Sequence, residues 1–319
     1  MQASLHLIVV ENLGYAAFFW LMRIKQRNIT VQKLIPLLIK AIGHLPLPWG
    51  RYLGALSGNI LWLLQGRAAK VTQTNLQLCL PAQEEAERKL LARASLIATG
   101  KTLFEAAQVW IKPHAWLETK VLTVVNEAIV IEAIGKGKGV MFLCPHLGNW
   151  EVTGPYICQR WGLTTMYAPS ENAALDRLVL ESREKAGSKL VPANLKGVIA
   201  LIKTLKKGGC VGMLPDQVPD IRGGIYAPFY GQPALTMTLI HKLIDRTDCT
   251  AVMVLAKRVK GGFEMVFTKP DTAIYSADLL QSATALNRSI EDSVSNCVEQ
   301  YQWEYKRFRK QPEGANKVY

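Results

Sequence analysis

The chain has 319 residues, 49% of them hydrophobic and 20% charged, with 38 Lys and Arg against 25 Asp and Glu for a formal net charge of +13. These values exclude a disordered chain, a collagen and a small disulfide scaffold, and leave an enzyme-sized globule of one large or two ordinary domains. The basic excess points to an anionic partner, and on composition alone nucleic acid, an anionic membrane and an acidic carrier protein are equally admissible.

Residues 3–22 are mostly apolar but contain His6, Glu11 and Asn12, which makes them a poor signal peptide and a compromised spanning helix. The first base, Arg23, follows the apolar run instead of preceding it. Residues 1–70 hold one acid, Glu11, against eight bases, interleaved with apolar runs at 34–42 and 53–64, the latter with Trp62. Bases and an aromatic beside bilayer-compatible surface suit an anchor on an anionic membrane, so 1–70 is expected to be an apolar, helical membrane-anchoring region. The plainer alternative is a core helix pair with solvated bases.

From 84 to about 110, apolar residues at helical spacing predict a long helix, broken around Trp110, Pro113 and Trp116. Short β-rich runs then alternate with helical ones. Strands are predicted at 140–144, 163–167, 190–191, 210–214, 252–256 and 263–267, and helices from 149, over 173–186, 197–207 and 234–245, and from 277 to 298. The pattern predicts an α/β domain over 71–319, a mixed sheet layered with helices. Cys79, Cys144, Cys158, Cys210, Cys249 and Cys297 form no CxxC pair and no zinc spacing, and read as buried thiols in a reducing compartment.

The most informative segment is Gly139-Val-Met-Phe-Leu-Cys-Pro-His-Leu-Gly-Asn-Trp-Glu151. An apolar strand stops at Pro145 and turns into a helix, which places His146 and Glu151 at the carboxyl end of a strand, where open α/β sheets bind ligands. Five residues apart, the two side chains lie about 140° apart on an ideal helix and cannot meet on one, but across a strand-turn-helix corner they can. There the imidazole can take a proton from an attacking hydroxyl while the Glu151 carboxylate fixes its tautomer. Gly54-Ala-Leu-Ser-Gly58 has the wrong spacing for a nucleophile elbow, so direct transfer is favoured over a serine acyl-enzyme. Cys144 permits a Cys/His thioesterase reading, outweighed by the frequency of core cysteines in apolar strands. Asp216 and Gln217 also follow a strand, and Asp216 alone reads equally as a turn residue. Gly135-Lys-Gly-Lys-Gly139 precedes its strand and no P-loop occurs, so no nucleotide cofactor is expected.

His146-Leu-Gly-Asn-Trp-Glu151 resembles the HxGNWE form of the HxxxxD/E box found in the lipid A biosynthesis acyltransferases, within the glycerolipid acyltransferase superfamily. Further segments resemble the same family in order: Asn75 to Pro81, Leu175-Asp176 with Arg183, Leu205 to Gln217, Phe229 to Ala234, and Tyr301-Gln-Trp303 through Lys306-Arg307-Phe308. One departure is Tyr167-Ala168-Pro169-Ser170, where the family often has Tyr-Arg-Pro, which bears on acceptor identity and not on His146.

The resemblance implies transfer of a fatty acyl group from acyl carrier protein to a hydroxyl of a lipid A precursor, with no metal or cofactor. His146 would be the general base and Glu151 its orienting partner, with Asn149, Arg183, Asp216 and Gln217 binding substrate. Arg183 would stabilise the oxyanion or clamp an acceptor phosphate. The implied location is a bacterial inner membrane with the catalytic domain on the cytoplasmic side, consistent with bases after the apolar run. Another glycolipid or a lysophospholipid is the alternative acceptor. A non-enzymatic scaffold binding anionic membrane accounts for 1–70 but leaves the His146 corner without purpose, and nothing beyond charge supports nucleic acid. The bases Lys306, Arg307, Arg309 and Lys310 read individually as a solvated helix end and together as a surface for the acidic carrier.

Overall fold

The structure, a computed structural model, describes residues 29–169 and 173–319, so the apolar stretch 3–22 lies outside the described residues. The chain opens with α1 (Ile29–His44), α2 (Leu47–Leu63) and α3 (Arg67–Cys79), which pack on α4 (Glu85–Ile111). α2 turns Leu47, Gly50, Gly54, Gly58 and Leu61 inward. A Cβ on Gly58 would stand 2.3 Å from the Leu96 carbonyl oxygen, so only glycine lets the two helix backbones approach this closely. Its bulky apolar residues, Trp49, Tyr52, Leu56, Ile60 and Leu63, are exposed instead. No described helix is long and apolar enough to cross a membrane.

The α/β portion follows: β1 (Val121–Val125), α6 (Glu127–Gly135), β2 (Val140–Leu143), α7 (Trp150–Trp161), β3 (Thr164–Tyr167), α8 (Ala173–Lys185), β4 (Lys189–Pro192), α9 (Leu195–Lys206) and β5 (Cys210–Met213), the short α5 (His114–Glu118) lying before β1. A hairpin of β6 (Gly224–Phe229) and β7 (Gln232–Met237), then α10 (Leu239–Thr247), β8 (Thr250–Val259), β9 (Gly262–Thr268) and α11 (Leu279–Ser295) complete the elements. The main sheet has the order β1-β9-β8-β2-β5-β3-β4 and is mixed, β8 and β9 being antiparallel while β8, β2, β5, β3 and β4 are parallel. β2 is buried along its whole length, as its unbroken apolar run requires of a central parallel strand. Its side chains alternate between two cores, Met141 and Leu143 with the α9–α11 side, Val140 and Phe142 with the α6–α7 side.

Three expectations are corrected. β1 and α6 precede the first predicted strand, and the helix expected from 234 begins only at Leu239, because 232–237 is a strand. Its hairpin turns through Tyr230 and Gly231, both at positive φ (50° and 75°), the pattern of a two-residue type I′ turn. A tyrosine in that position hides the turn, and Pro228 opposite Pro233 hides the strands. The basic cluster 306–310 is not a helix end and is only partly a surface, Arg309 being exposed and Lys306 and Lys310 half-buried. Arg307 is buried and donates to the Leu235 carbonyl at 2.7 Å and Thr236 Oγ1 at 3.0 Å, while Lys310 donates to the Pro219 carbonyl at 3.0 Å.

Candidate active site

β2 and β5 are neighbours in register, with Leu143 opposite Met213. His146 and Asp216 each lie three residues beyond those partners, so the two strand ends deliver them side by side. His146 Nδ1 stands 2.7 Å from Asp216 Oδ1, and the His146 backbone N–H donates to Oδ2 at 2.8 Å. Burial opposes the charge on Asp216, but the imidazole and these hydrogen bonds outweigh it and hold the carboxyl below its usual range. An ionised carboxylate only accepts, so Nδ1 carries the proton and Nε2 presents its lone pair. That nitrogen meets the Gln217 side-chain nitrogen at 3.1 Å.

Asp216, and not Glu151, therefore occupies the orienting position expected for Glu151. The reason lies in the turn: Asn149 caps α7 by accepting from the Glu151 N–H at 3.2 Å, and the first helical turn carries the Glu151 side chain toward α4. There Glu151 Oε2 accepts from Trp110 Nε1 at 2.8 Å, and Oε1 faces the Arg183 guanidinium at 3.4 Å. Arg183 also lies over the Tyr167 ring, 5.9 Å from its centroid.

A cavity of about 200 Å³ adjoins this pair. Glu151, Arg183, Gln217, Trp150 and Cys144 line it together with Val109, Phe142, Ile157 and Leu163, so an apolar chamber opens beside a few polar groups. His146 is buried, and Gln217 and the Trp150 ring, 4.9 Å from the imidazole centroid, join it to the cavity. Cys144 Sγ lies 3.2 Å from Thr153 Oγ1, and burial pushes its thiol up to about 12, which keeps it protonated and weighs against a thiolate nucleophile. Among the described residues no group of three His, Cys, Asp or Glu side chains is placed to hold a metal ion.

The structure thus brings His146, Asp216, Gln217, Glu151 and Arg183 together, whereas Asn149 is fully buried, does not line the cavity and holds the turn. Trp110, Glu105 and Arg258 went unrecognised in the sequence. Glu105 had one signal, being the single charge within the otherwise uncharged run 102–111. The closing segment braces the site: the Gln302 N–H donates to the His146 carbonyl at 3.0 Å, and Tyr305 Oη accepts from the Val218 N–H at 2.8 Å.

Residues 17–310 match the family described as bacterial lipid A biosynthesis acyltransferase. The chain is 24% identical over 283 residues to the lipid A biosynthesis palmitoleoyltransferase of Escherichia coli K12, covering 86% of this chain and 90% of that protein. It is equally 24% identical over 284 residues to the lipid A biosynthesis lauroyltransferase of the same organism, with the same coverage. A shorter match, 30% over 103 residues, covers 32% of this chain and 34% of the phosphatidylinositol mannoside acyltransferase of Mycolicibacterium smegmatis.

Proposed function

The chain belongs to the bacterial lipid A biosynthesis acyltransferase family and is an acyltransferase, and from that premise we propose that it moves a fatty acyl chain from acyl carrier protein to a hydroxyl of a lipid A precursor at the His146–Asp216 pair. The observation that carries the reading is the buried carboxylate against His146 Nδ1 beside an apolar cavity. In the proposed step Nε2 takes the acceptor hydroxyl proton as the oxygen attacks the thioester carbonyl. The tetrahedral oxyanion collapses, the carbon–sulfur bond breaks, and the imidazolium returns its proton to the departing thiolate. Asp216 stabilises the imidazolium between these transfers without itself taking the proton. The acyl chain occupies the apolar cavity, and Arg183, tethered by Glu151, supplies positive charge at its polar end.

The exposed stripe of α2, continued by Leu37 and Leu38 of α1, supports docking on the cytoplasmic face of a bacterial inner membrane, since the bulky apolar side faces outward and the glycine side inward. For the acidic carrier, the support moves from 306–310 to α9, whose exposed Lys196, Lys203 and Lys206 lie on a helix without an acid and whose entry residue Ala193 lines the cavity.

Purified protein should transfer a lauroyl group from its acyl carrier protein thioester to a lipid A precursor, at a rate that falls as salt rises. His146→Ala should lose about 10²- to 10⁴-fold in rate while keeping its thermal transition. Undiminished transfer by a folded His146→Ala protein would overturn the assignment.

A further inference from the structure

One carboxylate outside the cavity is hydrogen-bonded to the turn on which His146 and Glu151 are mounted. Glu105, in the middle of α4, has no solvent exposure and yet is charged: burial opposes its ionisation, but Arg258 and Arg51 overcome this and hold it below the usual carboxylate range. Its Oε1 accepts from Arg51 Nε at 2.6 Å and Arg258 Nε at 2.8 Å. Its Oε2 accepts from an Arg258 Nη at 2.8 Å and from Asn149 Nδ2 at 3.1 Å.

Each partner leads to the turn. Asn149 uses its other side-chain atom to cap the Glu151 N–H and its own N–H to reach the Ala256 carbonyl at 2.9 Å. Arg258 donates to Thr102 Oγ1 at 2.5 Å, and that hydroxyl lies 3.1 Å from the Gly148 carbonyl. Gly148 has φ +64° and approaches β8 so closely that a Cβ would stand 2.2 Å from the Ala256 carbonyl oxygen. Arg51 donates its remaining nitrogens to the carbonyls of Val259 and Gly262 at 2.6 and 2.7 Å, fixing the β8–β9 turn to the exposed helix α2. An ion pair that only joined helices would be complete with the two arginines. The bond to Asn149 is the part directed at the reacting groups.

We propose that Glu105 is a positioning residue for acyl transfer, holding the His146–Glu151 corner through Asn149; this rests on the assignment of the reaction to His146. Asn149→Ser retains a cap acceptor for the Glu151 N–H and loses only the donor to Glu105. Asn149→Asp also retains the cap but opposes its carboxylate to that of Glu105.

The test measures kcat and KM for lauroyl transfer from acyl carrier protein to a lipid A precursor, together with the thermal transition. Asn149→Ser and Asn149→Asp should lose about 10- to 100-fold in kcat at unchanged KM, the cost typical of small misplacements of reacting groups. Wild-type kcat in folded Asn149→Ser, or a loss confined to KM, overturns the proposal. Should Asn149→Asp not fold, Asn149→Ser decides alone. His146→Ala measured alongside separates the two claims, because its inactivity beside a fully active Asn149→Ser removes only the positioning role, whereas its full activity removes the assignment beneath it.

Discussion

At the scale of single residues, the two carboxylates near His146 are not equivalent. Asp216→Asn exchanges an acceptor for a group that can donate toward Nδ1, favouring the tautomer whose Nε2 carries the proton and cannot act as base. Its cost should be on the order of 10³- to 10⁴-fold in kcat, as for the aspartate of a hydrolase triad. Glu151→Gln keeps an acceptor for Trp110 Nε1 and loses the charge facing Arg183, so its defect should be smaller. Steady-state kinetics of both variants decides the order, and a larger loss in Glu151→Gln would return the orienting role to Glu151.

A third carboxylate, Glu304, predicts a pH dependence of stability. It is buried, accepts from Thr99 Oγ1 at 3.0 Å through one oxygen, and leaves the other without a hydrogen-bond partner. Burial pushes it up to about 7, with Thr99, Gln302 and the nearby His146 pulling in the opposite direction. For an acid raised in the folded state, the native protein binds the proton more tightly than the unfolded chain. Stability from this group is therefore greatest below the ordinary glutamate range, falls as pH rises toward 7, and stays reduced above it. Glu304→Gln should raise the thermal transition at pH 8 and leave it nearly unchanged at pH 4.5. An equal shift at both pH values would contradict this.

At the scale of elements, α7 sets what the cavity accepts. Gly154 lines the cavity, and a Cβ built there meets no atom within 4 Å, so a side chain can start there without displacing a neighbour. Gly154→Leu should fill part of the chamber and shift the preferred donor toward shorter acyl chains. A panel of carrier thioesters of different length measures this, and an unchanged length profile would move the acyl chain out of the cavity.

The sequence announced most of these elements but not the contact between His146 and Asp216. The run into Pro145 and the alternation after it located His146 at a strand end, because a central parallel strand must be continuously apolar. Asp216 was visible at another strand end, but its contact with His146 depends on β2 and β5 being neighbours, a long-range pairing that local pattern does not encode. Glu151, close in sequence, looked like the nearer partner until the Asn149 cap turned it toward Trp110. Arg307 misled for a similar reason. Arg307 is buried because three acceptors, from β7 and α11, surround its guanidinium, none of them near it in sequence.

At the scale of the whole molecule, the site is a seam between three parts of the chain. The sheet presents His146 and Asp216, the helical layer supplies Glu105 and Trp110 from α4, and the closing segment locks both. Asn75 Nδ2 donates to the carbonyls of Trp303 and Tyr305 at 2.7 and 2.8 Å, which joins α3 to that segment. Asn75, Gln302 and Tyr305 thus clamp these parts into register. α2, with glycines inward and bulky apolar residues outward, gives the seam an exposed apolar face.

The most direct measurement of the central claim is mass spectrometry of lipid A from cells lacking this gene, complemented with the wild-type chain or with His146→Ala expressed to the same level. Wild-type complementation should add the mass of one fatty acyl group and His146→Ala should add none. Identical spectra from the two complemented strains, with or without the added acyl mass, would contradict acyl transfer to lipid A through His146.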